Sequence, residues 1–184
     1  LRSFSQWMLS ENHLTEDPWN GAAIAFGRSR KLPRFLPAHD LERLLAFLKT
    51  LAGPEAWSGN AAAIQNRPHE GTTLLAIALM LATGVRVHEV VGIECRDVDV
   101  AGQTIRLVGK GRRERRVYLT NDWITRLTTA YLEARAALPP THPYLLFNLH
   151  YAPLTTSAMR SRLAKVAEAA GLSNRVTPHM LRHN

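Results

Sequence analysis

The sequence predicts an α+β fold that is mostly α-helical and carries one small antiparallel sheet. Apolar residues recur at helical spacing along most of the chain, but between Val98 and Leu119 they alternate with polar neighbours instead. Glycines and prolines separate these periodic segments, as expected where helices and strands end. With 184 residues, of which 46% are hydrophobic, the chain can bury one core and a small appendage.

The first forty residues are predicted to be a helix followed by a linker. The apolar residues between Leu1 and Leu9 follow helical spacing. Residues 21–39 contain two glycines and two prolines, Pro33 and Pro37, and proline favours extended backbone in the residue before it. We therefore expect a basic linker at 21–39 and a larger domain over residues 40–184.

The larger domain is predicted to begin with a helix and a loop. Leucines at helical spacing over residues 41–51 form an apolar stripe, with Asp40 as the expected N-cap. Residues 53–70 are polar and rich in Gly, Pro and Asn, so they are expected to be loop-like, with Ala61–Gln65 able to form a helical turn.

A buried helix and a short helix are predicted next. Residues Thr72–Thr83 are apolar on all sides, and Gly84 is expected to stop this helix in the C′ position. A short helix over Val85–Ile93 is expected to follow. Three antiparallel strands are then predicted between Val98 and Leu119, with turns at Ala101-Gly102 and at Gly109–Arg113.

The remaining chain is predicted to be helical, with recognisable start signals. Asn121-Asp122 is expected to cap a helix that runs to about Leu138, ahead of two prolines. Either Thr155 or Thr156 is expected to cap a further helix that ends at Gly171. Thr177 as N-cap and Pro178 at the first helical position predict a last helix.

The charge and cysteine content narrow the class of partner and the compartment. A formal net charge of +8 favours a polyanionic partner such as a nucleic acid. The longest apolar run, Leu74–Ala82, is too short to span a bilayer. Cys95 is the only cysteine, so no intrachain disulfide can form, which fits a reducing cytoplasm. The eight histidines are scattered without the spacing of metal ligands, and no metal site is expected.

Four residues have side chains suited to holding a phosphodiester and moving its protons. They are Arg86, Lys110, His179 and Arg182. Guanidinium groups bind phosphate oxygens through two parallel hydrogen bonds, whereas an ammonium or imidazole can transfer a proton. Considered alone, Arg86 is better explained by a structural ion pair with Glu89, three residues later, and a lone His-x-x-Arg is weak evidence.

Two further basic segments are candidates for contact with a nucleic-acid backbone. The linker and the second predicted turn contribute Arg28, Arg30, Lys31, Arg34, Arg112, Arg113, Arg115 and Arg116. Phosphate contacts of this kind provide most of the affinity of basic proteins for DNA. The alternative for both segments is a solvated charged surface.

Three ordered sequence blocks resemble the tyrosine recombinases of the Xer and phage-integrase type. The blocks are TGVRVHEVVGIECRDVD, VGKGRRERRVYL and TPHMLRH. The family patterns are close to TG-L-R-x-S-E-L, G-K-G-x-x-x-R-x-V-P-L and H-x-L-R-H. The resemblance extends over nearly the whole chain, and three blocks in order are far more specific than a single motif.

The resemblance implies a role for each candidate residue. Arg86 and Arg182 would hold the non-bridging oxygens of the scissile phosphate, and Lys110 would protonate the leaving 5′-hydroxyl. His179 would assist proton transfer, while Glu89 would orient the first block. In the family a tyrosine attacks the phosphate and forms a 3′-phosphotyrosyl link, with no metal or nucleotide cofactor. The four tyrosines here all precede His179, so we expect the nucleophile beyond Asn184.

The resemblance also implies an organisation and a set of partners. Residues 1–20 would be the end of a helical core-binding domain, and residues 40–184 a catalytic domain incomplete at its C-terminus. The parent protein would act on double-stranded DNA as a tetramer associated with the nucleoid, whereas this chain alone would bind DNA weakly without cleaving it. A type IB topoisomerase-like enzyme and a non-catalytic DNA-binding module are the alternatives. A reading frame that continues past Asn184 into a helix bearing the tyrosine would separate these possibilities.

Overall fold

The computed structural model describes residues 2–20, 35–109 and 114–182, which divide into two compact units. The first unit, Leu1–Leu32, contains helix α1 (Arg2–Ser10), which confirms the predicted first helix. The division from the second unit, Pro33–Asn184, falls inside the predicted linker. The assignment of residues 1–20 to a core-binding domain stays a prediction.

The second unit is built around one buried helix. Its first helices are α2 (Ala38–Ala52), α3 (Pro54–Ser58), α4 (Ala61–Asn66), α5 (Pro68–Thr83) and α6 (Val87–Val91). Helix α5 is buried continuously from Gly71 to Met80, because α2, α4, α7, α8 and α9 of the same unit surround it. It ends at Gly84, whose φ of 62° is the left-handed conformation that glycine adopts without steric cost. The prediction of an all-round apolar helix ending before Gly84 is confirmed.

A three-stranded antiparallel sheet follows, as predicted. Its strands are β1 (Val98–Asp99), β2 (Thr104–Val108) and β3 (Glu114–Tyr118), in the order β1-β2-β3. Val117 of β3 lies opposite Ile105 of β2, and both are buried. Since successive side chains point to opposite faces of a strand, this register places the neighbouring pair Arg106 and Arg116 on the outer face.

The last helices begin at the predicted residues. They are α7 (Asp122–Ala136), α8 (Thr156–Ala169) and α9 (Pro178–Arg182). Asn121 caps α7 by accepting a hydrogen bond from the Trp123 N–H at 2.8 Å, and Thr155 caps α8 by accepting one from the Ala158 N–H at 3.1 Å. The structure thus selects Thr155 over Thr156 as the cap of α8. None of the described helices is long and apolar enough to cross a membrane.

Two sequence expectations about the first half of the domain are wrong. Asp40 is not an N-cap, because α2 begins at Ala38 after Pro37 and Asp40 is buried in its first turn. Residues 53–70 are not a loop, since they contain α3, α4 and the start of α5, and only the helical turn predicted at Ala61–Gln65 is confirmed, as α4. The prolines in this segment are not helix breakers here, because each occupies the first position of a helix, where its missing N–H is not needed. The short helix predicted over Val85–Ile93 is confirmed as α6, which is two residues shorter at each end.

Candidate active site

The first arginine of the site lies at a sharp change of direction between α5 and α6. After Gly84 the buried side chain of Val85 anchors the turn in the core. Arg86 then adopts extended backbone, with φ −78° and ψ 153°, as the N-cap of α6. Its side chain remains 47% exposed, so the guanidinium is accessible to a ligand although its backbone is fixed.

Glu89 is the buried centre of a small ion-pair cluster. Its side chain is only 3% exposed, and one carboxylate oxygen accepts a hydrogen bond from the Arg86 backbone N–H at 2.7 Å. The Arg115 guanidinium donates to the same oxygen at 2.9 Å, whereas the Arg86 guanidinium is 3.4 Å from the other oxygen. The expected ion pair between Arg86 and Glu89 is therefore present, but Arg115 is the closer charged partner.

The pKa of Glu89 reflects a balance between burial and these hydrogen bonds. Burial alone would raise the pKa of this carboxyl. Hydrogen bonds from the Arg115 side chain and the Arg86 backbone, together with the positive charges of both arginines, outweigh burial and hold the pKa below its ordinary value. Glu89 is thus an ionised anchor for two arginines and has no readily exchanged proton of its own.

Helix α9 carries the second arginine of the site against the same turn. Thr177 precedes it and accepts a backbone hydrogen bond from the Met180 N–H at 3.0 Å. Leu181 is fully buried, which fixes α9 in the core. On the neighbouring positions His179 is exposed and Arg182 is half-buried.

Arg182 lies beside the turn that carries Arg86. A Cβ atom built on Gly84 would be 3.7 Å from the Arg182 Cγ and 3.8 Å from its carbonyl oxygen. The Cα atoms of Gly84 and Arg86 are two residues apart, which is at most about 7 Å. An extended arginine side chain spans a similar length, so the stem of Arg182 lies within about one side-chain length of the Arg86 backbone.

The two faces of the sheet separate the adjacent arginines of β3. Arg115 lies opposite the buried Leu107, on the inner face that leads to Glu89, and 42% of its side chain is exposed. Arg116 lies on the outer face opposite Arg106 and is exposed. Arg106 pairs with Asp97 at 2.7 Å and with Glu114 at 3.1 Å.

The other candidate residues lie outside the described residues. They are Lys110, Arg112 and Arg113, between β2 and β3 in the sequence, and Arg28, Arg30, Lys31 and Arg34, in the predicted linker. Their roles stay predictions. Within the described ranges, no group of three or more His, Cys, Asp or Glu residues is arranged to hold a metal ion.

The chain is similar to known proteins in both sequence and fold. Residues 34–184 match the model of the phage integrase family. The chain belongs to this family. Tyrosine recombinase XerC of Listeria innocua is 32% identical to it over 189 residues, a match that covers the whole chain and 57% of the relative. XerC of Vibrio vulnificus is 28% identical over 188 residues and is covered to 53%. The chain thus spans just over half the length of these curated relatives.

Solved structures confirm the predicted fold class. XerA recombinase matches with a TM-score of 0.64 and 25% identity, over 83% of this chain and 49% of that protein. A lambda integrase dimer bound to a COC′ core site matches with a TM-score of 0.61 over 99% of this chain and 60% of that one. At 15% identity the second likeness concerns the fold alone.

Sequence reasoning did not find the pairing of Arg115 with Glu89. We predicted Arg115 as a DNA contact because it lies in a dense run of basic residues. The signal that distinguishes it from Arg116 is the period of two along β3: Arg115 is two residues before Val117, which is buried. A residue on that face is directed towards the core, where a buried carboxylate is the natural partner.

Proposed function

We propose that the whole protein catalyses site-specific recombination of double-stranded DNA by tyrosine-recombinase chemistry. The observation that supports this most directly is the contact between the Arg182 stem and Gly84, two residues before Arg86. If Arg86 and Arg182 served only to stabilise the fold, we would expect each to form its own ion pair on a different part of the surface. The match to the XerC proteins over the whole chain supports the same reaction.

In this proposal the two arginines bind the non-bridging oxygens of the scissile phosphate. Negative charge on these oxygens grows as the tyrosine oxygen attacks phosphorus, and fixed guanidinium groups stabilise it without reorganisation. The bond from phosphorus to the 5′-oxygen breaks, and Lys110 supplies the proton that the leaving oxygen takes up. His179, exposed in the first turn of α9, assists proton transfer. The reverse attack by a 5′-hydroxyl of another strand reseals the DNA and releases the tyrosine.

We assign Arg115 a positioning role through Glu89. A single carboxylate accepts hydrogen bonds from the backbone that carries Arg86 and from strand β3, which follows Lys110 in the sequence. This carboxylate therefore links the segment of Arg86 to the strand next to Lys110. Movement of either segment would strain a buried ion pair, which is costly in a medium of low dielectric constant.

The proposed function also includes contacts with DNA phosphates and a location in the cytoplasm. Arg116 and the basic residues of the linker and the second turn would bind phosphates and contribute affinity without reading sequence. Solved proteins of the same fold include the XerH recombinase bound to its difH substrate and the Tn1549 transposon integrase in complex with transposon right end DNA. We propose a tetramer on DNA, in the cytoplasm and associated with the nucleoid.

A suicide-substrate experiment tests the proposed chemistry. The whole protein is incubated with nicked duplexes selected from genomic fragments by their binding to it, and a covalent protein–DNA adduct is sought on a denaturing gel. The nick lets the short 5′-hydroxyl fragment diffuse away, so the adduct accumulates. We expect the adduct with the natural protein and a loss of at least a hundredfold in its rate of formation with Arg86→Ala or Arg182→Ala.

The matched control is Arg126→Ala, which removes the same charge from an exposed position on α7. It is expected to leave the rate within about twofold. DNA binding by the natural protein without any adduct would favour the non-catalytic binding module. Adduct formation and relaxation of supercoiled DNA without a preferred site would favour the topoisomerase-like alternative.

A further inference from the structure

Asp97 is a second buried carboxylate that joins the sheet to the chain before it. It ends a short 3-10 helix, Cys95–Asp97, and its side chain is 6% exposed. One carboxylate oxygen accepts a hydrogen bond from the Glu94 backbone N–H at 3.0 Å. The other oxygen accepts two from the Arg106 guanidinium, from Nη2 at 2.7 Å and from Nε at 3.0 Å. Asp97 therefore binds the start of the 3-10 helix and strand β2 at the same time.

Arg106 extends this set of contacts from β2 to β3. Its Nη1 donates to the Glu114 carboxylate at 3.1 Å, so Nε, Nη1 and Nη2 each donate to a carboxylate oxygen. Glu114 is the first residue of β3 and lies opposite Val108, the last residue of β2. Two carboxylates offset the single positive charge of Arg106, so a role in joining the strands is favoured over a phosphate contact.

Asp97 and Glu89 make the same kind of contact with the sheet. Each carboxylate accepts a hydrogen bond from a backbone N–H three residues earlier, and each also binds an arginine of the sheet. Arg106 belongs to the outer face of β2, whereas Arg115 belongs to the inner face of β3. The two strands are thus held by one buried carboxylate each, through opposite faces. A shift of either strand would separate a guanidinium from its buried counter-charge, which is costly.

We propose that Arg106 is a positioning residue for Lys110, the proton donor of the proposed function, on which this inference rests. Lys110 itself lies outside the described residues, but in the sequence it stands between Val108 and Glu114. Both strands that flank it are therefore joined by Arg106. A proton donor acts only within hydrogen-bond reach of the leaving oxygen, and a misplacement of about 1 Å can slow a reaction a hundredfold. Arg106 is expected to affect proton transfer without contacting DNA.

Replacing the leaving oxygen by sulfur tests this role. The nicked duplexes are prepared with either oxygen or sulfur at the 5′-bridging position of the cleaved linkage, and saturating whole protein is used in a single turnover. With oxygen, the bond from phosphorus to oxygen breaks and the leaving oxygen takes a proton from Lys110. With sulfur, the bond from phosphorus to sulfur breaks and a thiolate leaves without needing a proton, because it is a far better leaving group. A misplaced Lys110 should therefore slow only the oxygen substrate.

Arg106→Gln should slow adduct formation at least about tenfold with the oxygen duplex and less than about twofold with the sulfur duplex. Lys110→Ala is the reference and should show the same pattern with a larger loss. Arg126→Gln, which removes the same charge from an exposed position on α7, should leave both rates unchanged. Equal slowing of Arg106→Gln on both duplexes, or no slowing on either, would overturn the proposal.

Glu114→Gln provides a second test that does not depend on the folding of Arg106→Gln. The Glu114 side chain is 56% exposed, so its substitution is compatible with folding, and it leaves the pairing of Arg106 with Asp97 intact. We expect a loss of about threefold in rate with the oxygen duplex and none with the sulfur duplex. An unchanged rate with the oxygen duplex would contradict the proposal.

Two further outcomes distinguish this inference from the proposals on which it rests. Arg106→Gln should leave the slope of log K against log salt concentration unchanged, whereas a fall of about 0.9 would identify a phosphate contact and overturn the positioning role. The natural protein decides the rest. If it formed no adduct with either duplex, the recombinase chemistry itself would be refuted, and this inference with it. If it formed the adduct but Arg106→Gln were slowed equally on both duplexes, only the role of Arg106 would be refuted.

Discussion

The side chain of Glu89 is 3% exposed, and its carboxylate accepts hydrogen bonds from two guanidinium groups and one backbone N–H. The contribution of its negative charge can therefore be tested by changing this one residue. Glu89→Gln keeps a similar shape and one acceptor oxygen but removes the negative charge. We expect a loss of about 2–4 kcal/mol in the free energy of unfolding at pH 7, since both arginines then lack a counter-charge near a buried group. Urea denaturation measures this loss.

The pH dependence of that loss has a definite sign. The pKa of Glu89 is lowered in the folded state, so its stabilisation is fully present above the ordinary carboxyl pKa of about 4.3 and disappears as the pH falls through the lowered value. The stability difference between natural protein and Glu89→Gln should therefore shrink towards zero in acid. Glu133→Gln, an exposed change on α7, serves as control. A difference that persisted unchanged below this pH range would contradict the ionised role of Glu89.

Gly84 gives a second prediction at this scale. Its φ is 62°, but a Cβ atom there would meet Arg182 only at ordinary contact distance. Gly84→Ala should therefore cost about 1–2 kcal/mol through backbone strain rather than through collision. Gly84→Asn should cost less, because asparagine tolerates the left-handed region better. Thermal unfolding of the three proteins tests this order, and an equal cost for both variants would point to a steric cause instead.

At the scale of helices and strands, the sequence predicts those helix ends that depend on the chemistry of a nearby side chain. Asn121, Thr155 and Pro178 mark helix starts through their own side chains, so they are recognisable without knowledge of the fold. Helices α3 and α4 have five and six residues, too few to show a period. They are stabilised instead by contacts with other helices, including the Trp123 indole N–H donating to the Trp57 carbonyl at 2.8 Å. Such long-range contacts leave no pattern in residues 53–70.

Part of the candidate site can be predicted from the sequence, and part depends on long-range packing. Arg86 and Arg182 belong to motifs that are readable along the chain, but their proximity depends on α9 packing against the end of α5. The ion pair of Arg115 with Glu89 has no motif, because the two residues are 26 positions apart and meet only where β3 lies against α6. No spacing rule identifies a pair of this kind.

Arg135 provides a prediction about how α7 is connected to the chain that follows. It is buried near the end of α7 and donates hydrogen bonds to the carbonyls of Pro140, His142 and Tyr144 at 2.9–3.3 Å. Arg135→Lys keeps the charge but cannot reproduce the fork of donors. We expect a loss of about 2–4 kcal/mol in the free energy of unfolding.

The control for Arg135 is Arg126→Lys on the exposed face of the same helix, for which we expect less than about 0.5 kcal/mol. Hydrogen exchange of the amides in residues 140–147 provides a second measurement. Faster exchange there in Arg135→Lys, with α7 itself unchanged, would locate the effect in the connection. A stability equal to that of the natural protein would show that the three carbonyl contacts are dispensable.

At the scale of the whole molecule, the formal charge of +8 attracts polyanions such as DNA over a long range. Ion pairs within the protein reduce this attraction at particular arginines. Arg106 and Arg115 have their charges offset by Asp97 and Glu89, respectively. Arg116 is exposed on the outer face of the sheet, next to these paired residues. Adjacent arginines of one strand are therefore expected to contribute differently to DNA binding.

The salt dependence of DNA binding tests this difference. Each phosphate that a cation neutralises contributes about 0.9 to the slope of log K against log salt concentration. Arg116→Ala should therefore weaken binding of the whole protein to random-sequence duplex and reduce this slope by about one unit.

Arg115→Ala should change the slope by less than half as much but lower the melting temperature, since it removes a partner of buried Glu89. Arg126→Ala should change neither quantity, because it removes an exposed charge on α7 that has no part in the Glu89 cluster or in β3. If Arg115→Ala reduced the slope as much as Arg116→Ala, Arg115 would be a phosphate contact in the complex, and the positioning role assigned to it through Glu89 would be wrong.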